Sequence, residues 1–174
     1  MSESPGGPAG GPWQRRAWVG LGGNLGDVAA TFAAALRELE AGPDLRLLQV
    51  SRLYRTPPWG LLGQPDFLNA VAAFDTRWPA LVLLDRLHAI ERAHGRDRAK
   101  ESRWGPRPLD LDLLAVEDEV LDTPRLCLPH PRIAERAFVL VPWAEIAPDL
   151  ELPGLGRIAA LRDALDRSGI EAIP

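Results

Sequence analysis

Between residues 17 and 116 the apolar positions alternate between a spacing of two and a spacing of three to four, and this succession restricts the fold more than any other property of the chain. Residues 17–21 are a short apolar run entering a glycine-rich turn, Gly20-Leu21-Gly22-Gly23-Asn24-Leu25-Gly26-Asp27. Val28, Phe32, Leu36 and Leu39 then recur at helical spacing, with Asp27 as the expected cap and Gly42-Pro43 as the stop. Residues 45–54 are rich in strand formers, and their apolar phase slips between Leu47 and Leu48 as it would at a bulge. After a Pro/Gly loop over 55–65, the segment 67–75 alternates as a strand. Phe67, Asn69, Val71 and Ala73 share one face of it, and Leu68, Ala70, Ala72 and Phe74 the other. Pro79 opens a second helix whose core stripe is Leu83, Leu84, Leu87 and Ile90, and Gly95 closes it. An Arg-rich loop over 96–107 leads to a last strand, 109–116. The order predicts an α+β fold with a ferredoxin-like β-α-β-β-α-β core. A C-terminal extension should add a short strand near Val120, the segment 125–131, and helices over 138–146 and 157–168.

Half of residues 1–14 are Gly or Pro, a composition that predicts a disordered leader, so one domain is expected over 15–174. No apolar run approaches the roughly 20 residues of a membrane span, and no secretory signal is visible. Cys127 is the single cysteine, which excludes an internal disulfide and a Cys-based zinc cluster. The cytoplasm is the expected compartment. A net charge of -4 argues against a nucleic-acid partner. Within 86–107, however, the basic residues exceed the acids by four, a local patch better matched to a small anion.

That patch runs into Arg103-Trp104-Gly105-Pro106-Arg107-Pro108-Leu109-Asp110-Leu111-Asp112-Leu113-Leu114. In a strand Asp110 and Asp112 point one way, while Leu109, Leu111 and Leu113 point the other and can be buried. Two adjacent carboxylates repel each other and suit a shared hard cation such as Mg²⁺, completed by substrate phosphates. Arginines alongside supply planar forks for phosphate oxygens. A metal-nucleotide site and a plain strand with a polar face both satisfy this stretch taken alone. The glycine-rich turn does not support a dinucleotide fold, because its spacing is wrong and an antiparallel pair follows. Its glycines are better read as allowing close backbone approach.

Five blocks, in order over about 15–150, resemble the 6-hydroxymethyl-7,8-dihydropterin pyrophosphokinases of folate biosynthesis. They are the stretch Gly20 to Asp27, Tyr54-Arg55-Thr56-Pro57-Pro58-Trp59-Gly60, Gln64-Pro65-Asp66-Phe67-Leu68-Asn69-Ala70, the Arg103 to Leu114 signature, and Leu128-Pro129-His130-Pro131 with Arg136-Ala137-Phe138. The resemblance implies transfer of the β,γ-pyrophosphoryl group of ATP to the pterin hydroxymethyl oxygen, with release of AMP. It implies two Mg²⁺ on Asp110 and Asp112, and catalytic arginines at Arg96 and Arg107. His88, Glu91, Arg98, Trp104, Leu113, His130 and Arg136 align with ATP contacts. His88 and Glu91 are expected on one helix face beside the core stripe, and the family often has Gln where this chain has His88. Phe67 and Phe138 match two rings that sandwich the pterin, with Asn69, Thr56, Pro57 and Trp59 along its edge. Gly23 stands where the family commonly has Ser, a change expected to matter little. A monomer is the family precedent. The rival readings are a non-catalytic ferredoxin-like module that binds a regulatory ligand, and a two-metal nuclease. The first gives no reason for paired acids beside arginines, and the second should carry more basic surface.

Overall fold

The structure is a computed structural model that describes residues 15–58, 63–97 and 105–174. The expected leader over 1–14, and the expected site residues Trp59, Arg98 and Trp104, lie outside the described residues. The elements β1 (Arg15–Gly23), α1 (Val28–Glu40), β2 (Leu45–Val50), β3 (Tyr54–Thr56), β4 (Phe67–Thr76), α2 (Ala80–Ala93) and β5 (Asp110–Val116) form the core. Its sheet runs β3-β4-β1-β5, with β2 also on β4, and every pairing is antiparallel. This is the expected α+β arrangement.

The strand expected over 45–54 is divided. Its first part, β2, carries the foreseen register shift between Leu47 and Gln49. The break before β3 arises at Ser51, whose hydroxyl takes a ladder position: Val71 N–H donates to Ser51 Oγ at 3.0 Å. The two parts therefore stay on one edge of β4 although the backbone ladder is interrupted.

Both faces of the sheet are covered, so β1 and β4 read as nearly continuous buried runs. Val28, Phe32, Ala35 and Leu39 of α1 and Leu83, Leu87 and Ile90 of α2 pack with Ala70, Ala72 and Phe74 on one face. The other face buries Trp18, Val71, Ala73 and Leu114 against the C-terminal extension. That extension contains a two-residue hairpin, β6 (Leu121–Asp122) with β7 (Cys127–Leu128), then a 3-10 turn at Ile133–Glu135 and α3 (Ala137–Ile146). A second small hairpin, β8 (Glu151–Leu152) with β9 (Gly156–Arg157), precedes α4 (Ile158–Asp163). The helix expected over 157–168 is therefore shorter. It ends at Asp163, and just beyond it Asp166 Oδ1 accepts from both Ser168 N–H and Oγ–H, a local turn that competes with helix. A final strand absent from the sequence reading, β10 (Glu171–Ala172), pairs with β3 and extends the sheet.

Local signals act where expected. Asp27 caps α1, its Oδ1 accepting from Ala30 N–H at 3.1 Å. Gly95, at φ 93°, turns the chain out of α2 in a conformation that side chains disfavour.

Candidate active site

Strand register builds the site. Asp110 and Asp112 pair with Gly22 and Gly20 of β1, and Gly22 pairs in turn with Asn69 of β4. The row Asn69–Gly22–Asp110 thus has no side chain at its middle. A Cβ at Gly22 would stand 3.1 Å from Asn69 Oδ1 and 3.8 Å from Asp110 Cβ, so the glycine keeps a gap open between amide and acid. The two carboxylates share a face as their spacing predicts, each about a quarter exposed, while Leu109, Leu111 and Leu113 are buried behind them.

A cavity opens on each side of the acid pair. One is lined by Gly22, Thr56, Pro57, Phe67, Asn69, Arg107, Asp110, Arg136 and Phe138. It brings together all of the expected pterin residues that are described, the rings of Phe67 and Phe138 among them. Asn69 Nδ2 donates to Thr56 Oγ1 at 3.0 Å, which aims the amide oxygen toward Gly22. The second cavity, of about 260 Å³, is lined by His88, Leu111, Asp112, Leu113 and His130 together with 123–127. Three expected nucleotide-side residues, His88, Leu113 and His130, therefore meet there with one acid. Thr123 and Arg125 also line it, and no spacing signal in the sequence pointed to either.

His130 is largely buried, and its pKa is pushed down to about 4 by burial first and then by the Arg136 charge, against an opposing pull from Asp110. At neutral pH its imidazole is uncharged and offers one acceptor and one donor.

One expectation about the charged residues is corrected. Glu91 does not sit beside the core stripe; it is 1% exposed, inside the core. Arg96, expected as a catalytic arginine, is likewise buried, at 5% exposed. Its Nη1 donates to Glu91 Oε2 at 2.9 Å and to Asp110 Oδ1 at 2.6 Å. Glu91 Oε2 also accepts from Leu111 N–H at 2.7 Å, so the pair locks the end of α2 to the strand that carries the acids. Burial without loss of stability requires this mutual pairing. Arg107 and Arg136 differ: they line the aromatic cavity and lie near the acids at longer range. Arg136 also stands over the Phe138 ring at 5.9 Å.

Asn24 is a site-building residue that the sequence reading missed. Buried in the glycine-rich turn, it ties three loops. Its backbone N–H donates to Arg107 O at 3.0 Å, and its Oδ1 accepts from Arg107 N–H at 2.9 Å. Its Nδ2 donates to Gln64 Oε1 and Pro65 O at 2.9 and 3.0 Å. The loop bearing Arg107 and the loop entering Phe67 are thereby fixed to one point. The neighbouring Gly23 has more weight than expected, because a Cβ there would lie 2.7 Å from the Pro108 carbonyl oxygen. Asn24→Ala leaves an Arg107 N–H and a Pro65 carbonyl without these partners and should destabilise the fold by about 2–3 kcal/mol. Turnover should fall along with it. Urea unfolding checks the first effect; an unchanged midpoint would mean the clasp is not a tether.

Among the described residues no cluster of three or more His, Cys, Asp or Glu could hold a metal. Two carboxylates do fit Mg²⁺, which keeps several waters and takes the rest of its ligands from substrate phosphate. No helix among the described residues is long and apolar enough to cross a membrane.

The family model described as 7,8-dihydro-6-hydroxymethylpterin-pyrophosphokinase matches residues 18–148. A 2-amino-4-hydroxy-6-hydroxymethyldihydropteridine pyrophosphokinase of Methylorubrum extorquens is 50% identical over 161 residues, covering 91% of this chain and 98% of that protein. A protein of the same name from Pseudomonas aeruginosa is 47% identical over 160 residues, covering 92% and 98%. Among solved structures, wild-type HPPK-DHPS of Plasmodium falciparum aligns with a TM-score of 0.67 at 14% identity. That alignment covers 86% of this chain but 41% of the Plasmodium chain, so the likeness is one of fold over less than half of the larger protein.

Proposed function

Because this chain belongs to the 7,8-dihydro-6-hydroxymethylpterin pyrophosphokinase family, an ATP-dependent diphosphotransferase family of folate biosynthesis, we propose how its own residues divide the work of the reaction. The reaction moves the pyrophosphoryl group of ATP to hydroxymethyldihydropterin. The aromatic cavity takes the pterin, Phe67 and Phe138 stacking on its faces and Asn69 and Thr56 reading its polar edge. The second cavity takes the nucleotide, with His88, Leu113 and His130 in its wall. Asp110 and Asp112 stand between the two and would hold two Mg²⁺ ions. Bound there, Mg²⁺ neutralises phosphate charge and lowers the barrier to ionising a hydroxyl.

The other groups position and stabilise. Arg107 and Arg136, at the rim of the pterin cavity, meet the charge that develops on the transferred phosphates. Arg96 and Glu91 act through Asp110, whose orientation they hold from below. Sequence alignment would put Arg96 and Glu91 on the nucleotide; their burial instead favours positioning roles. Neutral His130 serves the nucleotide as a hydrogen-bonding group rather than as a fixed cation. Transfer is then mainly a matter of bringing the hydroxymethyl oxygen in line with the β-phosphorus.

One observation carries this division: each acid lines a different cavity, Asp110 the aromatic one and Asp112 the other. A coupled assay for AMP, with ATP, Mg²⁺ and hydroxymethyldihydropterin, tests the reaction, and no AMP above background would overturn it. Phe138→Ala tests the assignment of the cavities. It should weaken pterin binding by about tenfold or more, a lost stacking partner, while ATP affinity changes little. Equal losses for both ligands, measured by fluorescence titration, would reduce Phe138 to a packing residue.

A further inference from the structure

The two acids already have cations beside them. Asp110 Oδ2 lies 3.8 Å from Arg107 Nη1, and Asp112 Oδ2 lies 3.5 Å from Arg136 Nη1. Both separations are too long for a hydrogen bond, unlike the 2.6 Å contact of Arg96 with the other oxygen of Asp110. The arginines also differ in setting. The Arg96 side chain is 3% exposed and anchored by Glu91, whereas the side chains of Arg107 and Arg136 are 18% and 26% exposed and line a cavity. One arginine is thus built in, and two are loosely held where an anionic ligand would arrive.

We propose that Arg107 and Arg136 are exchangeable counter-cations: they neutralise the paired acids while no metal is bound, and they change partners to the nucleotide polyphosphate when the acids take up Mg²⁺. This rests on the reading of Asp110 and Asp112 as metal carboxylates given above. A cation arriving alone meets two guanidinium groups that already occupy the acids' field. A polyphosphate arriving alone must draw those guanidinium groups away and approach two carboxylates. Arriving together, each ligand supplies a partner for the groups the other displaces, and local charge stays balanced throughout. Cation and polyphosphate therefore strengthen each other's binding, and linkage makes the factor the same in both directions. Ionic exchange of this kind needs side chains held weakly enough to leave, as part-exposed pairs are.

A double-mutant cycle on ATP binding in EDTA tests the exchange, using the full chain and a binding readout by calorimetry. Asp112→Asn removes the acid that detains Arg136, and should tighten metal-free ATP by about fivefold, the size of one part-exposed ion pair. The same substitution in an Arg136→Gln background should bring no such gain, and an Arg136→Lys background should retain part of it. Equal tightening in the parent and Arg136→Gln backgrounds would mean that Asp112 acts only by repelling phosphate through space, and the exchange would fall. No tightening in either would overturn it as well. The metal reading is judged separately: Mg²⁺ should strengthen ATP binding to the parent, and Asp112→Asn should abolish that strengthening. If the strengthening survives in Asp112→Asn, the underlying reading fails whatever the EDTA series gives.

Discussion

Asp112→Asn is expected to lower turnover by on the order of a thousandfold while leaving the fold and pterin affinity nearly unchanged. Several kcal/mol of phosphate-charge stabilisation depends on a metal-holding carboxylate, and each 1.4 kcal/mol is about a factor of ten. The structural loss is small by comparison. The Asp112 side chain is 27% exposed and its contact with Arg136 is 3.5 Å long. A pair of that kind contributes about 1 kcal/mol at most. Pterin affinity should hold because the aromatic cavity is lined by Asp110 and not by Asp112. Steady-state kinetics with both substrates saturating is the measurement, and turnover within tenfold of the parent would remove Asp112 from the metal role.

Arg96→Met should have the largest effect on stability. It takes the Arg96 guanidinium away from the Glu91 carboxylate in the core, where that carboxylate also accepts from Leu111 N–H. Removing one member of a buried pair costs about 3–5 kcal/mol, a large share of the roughly 5–15 kcal/mol that holds a domain folded. Urea unfolding should register the shift in midpoint with little change in slope. Adding Glu91→Gln to Arg96→Met should recover part of the loss, because a buried carboxylate deprived of its guanidinium is what makes the single substitution severe. A loss under about 1 kcal/mol for Arg96→Met, or no recovery in the double variant, would show that the pair does not bear on the fold. In a variant that remains folded, looser positioning of Asp110 should also lower turnover without a matching change in pterin affinity.

The pattern of apolar spacing made the core order readable, including the cap at Asp27 and the slip that became the Leu47–Gln49 bulge. These are local signals, decided by residues within a turn or two of each other. What escaped depends on partners distant in sequence. Ser51 breaks a strand because its hydroxyl meets Val71, and β10 forms because β3 offers it an edge. Glu91 and Arg96 carry the same difficulty into the site. A charge run does not distinguish a solvated cation from a buried one, and only the carboxylate waiting across the loop decides it. Asn24 is a sharper case, since its side-chain partners lie 40, 41 and 83 residues away. The paired acids were legible because a strand's two-residue period fixes their shared face whatever surrounds it.

The empty middle of the Asn69–Gly22–Asp110 row has a consequence for how the two substrates are kept at working distance. The amide that would read the pterin and the acid that would carry the metal are two strand widths apart, roughly 10 Å, measured along backbone hydrogen bonds. That ruler belongs to the central ladder, whose opening should require nearly global unfolding, whereas loops open at far lower free energy. The reach from one ligand to the other is therefore set by the most resistant part of the fold. Gly22 keeps the span of the ruler clear, so that the distance is crossed by substrate and not by protein.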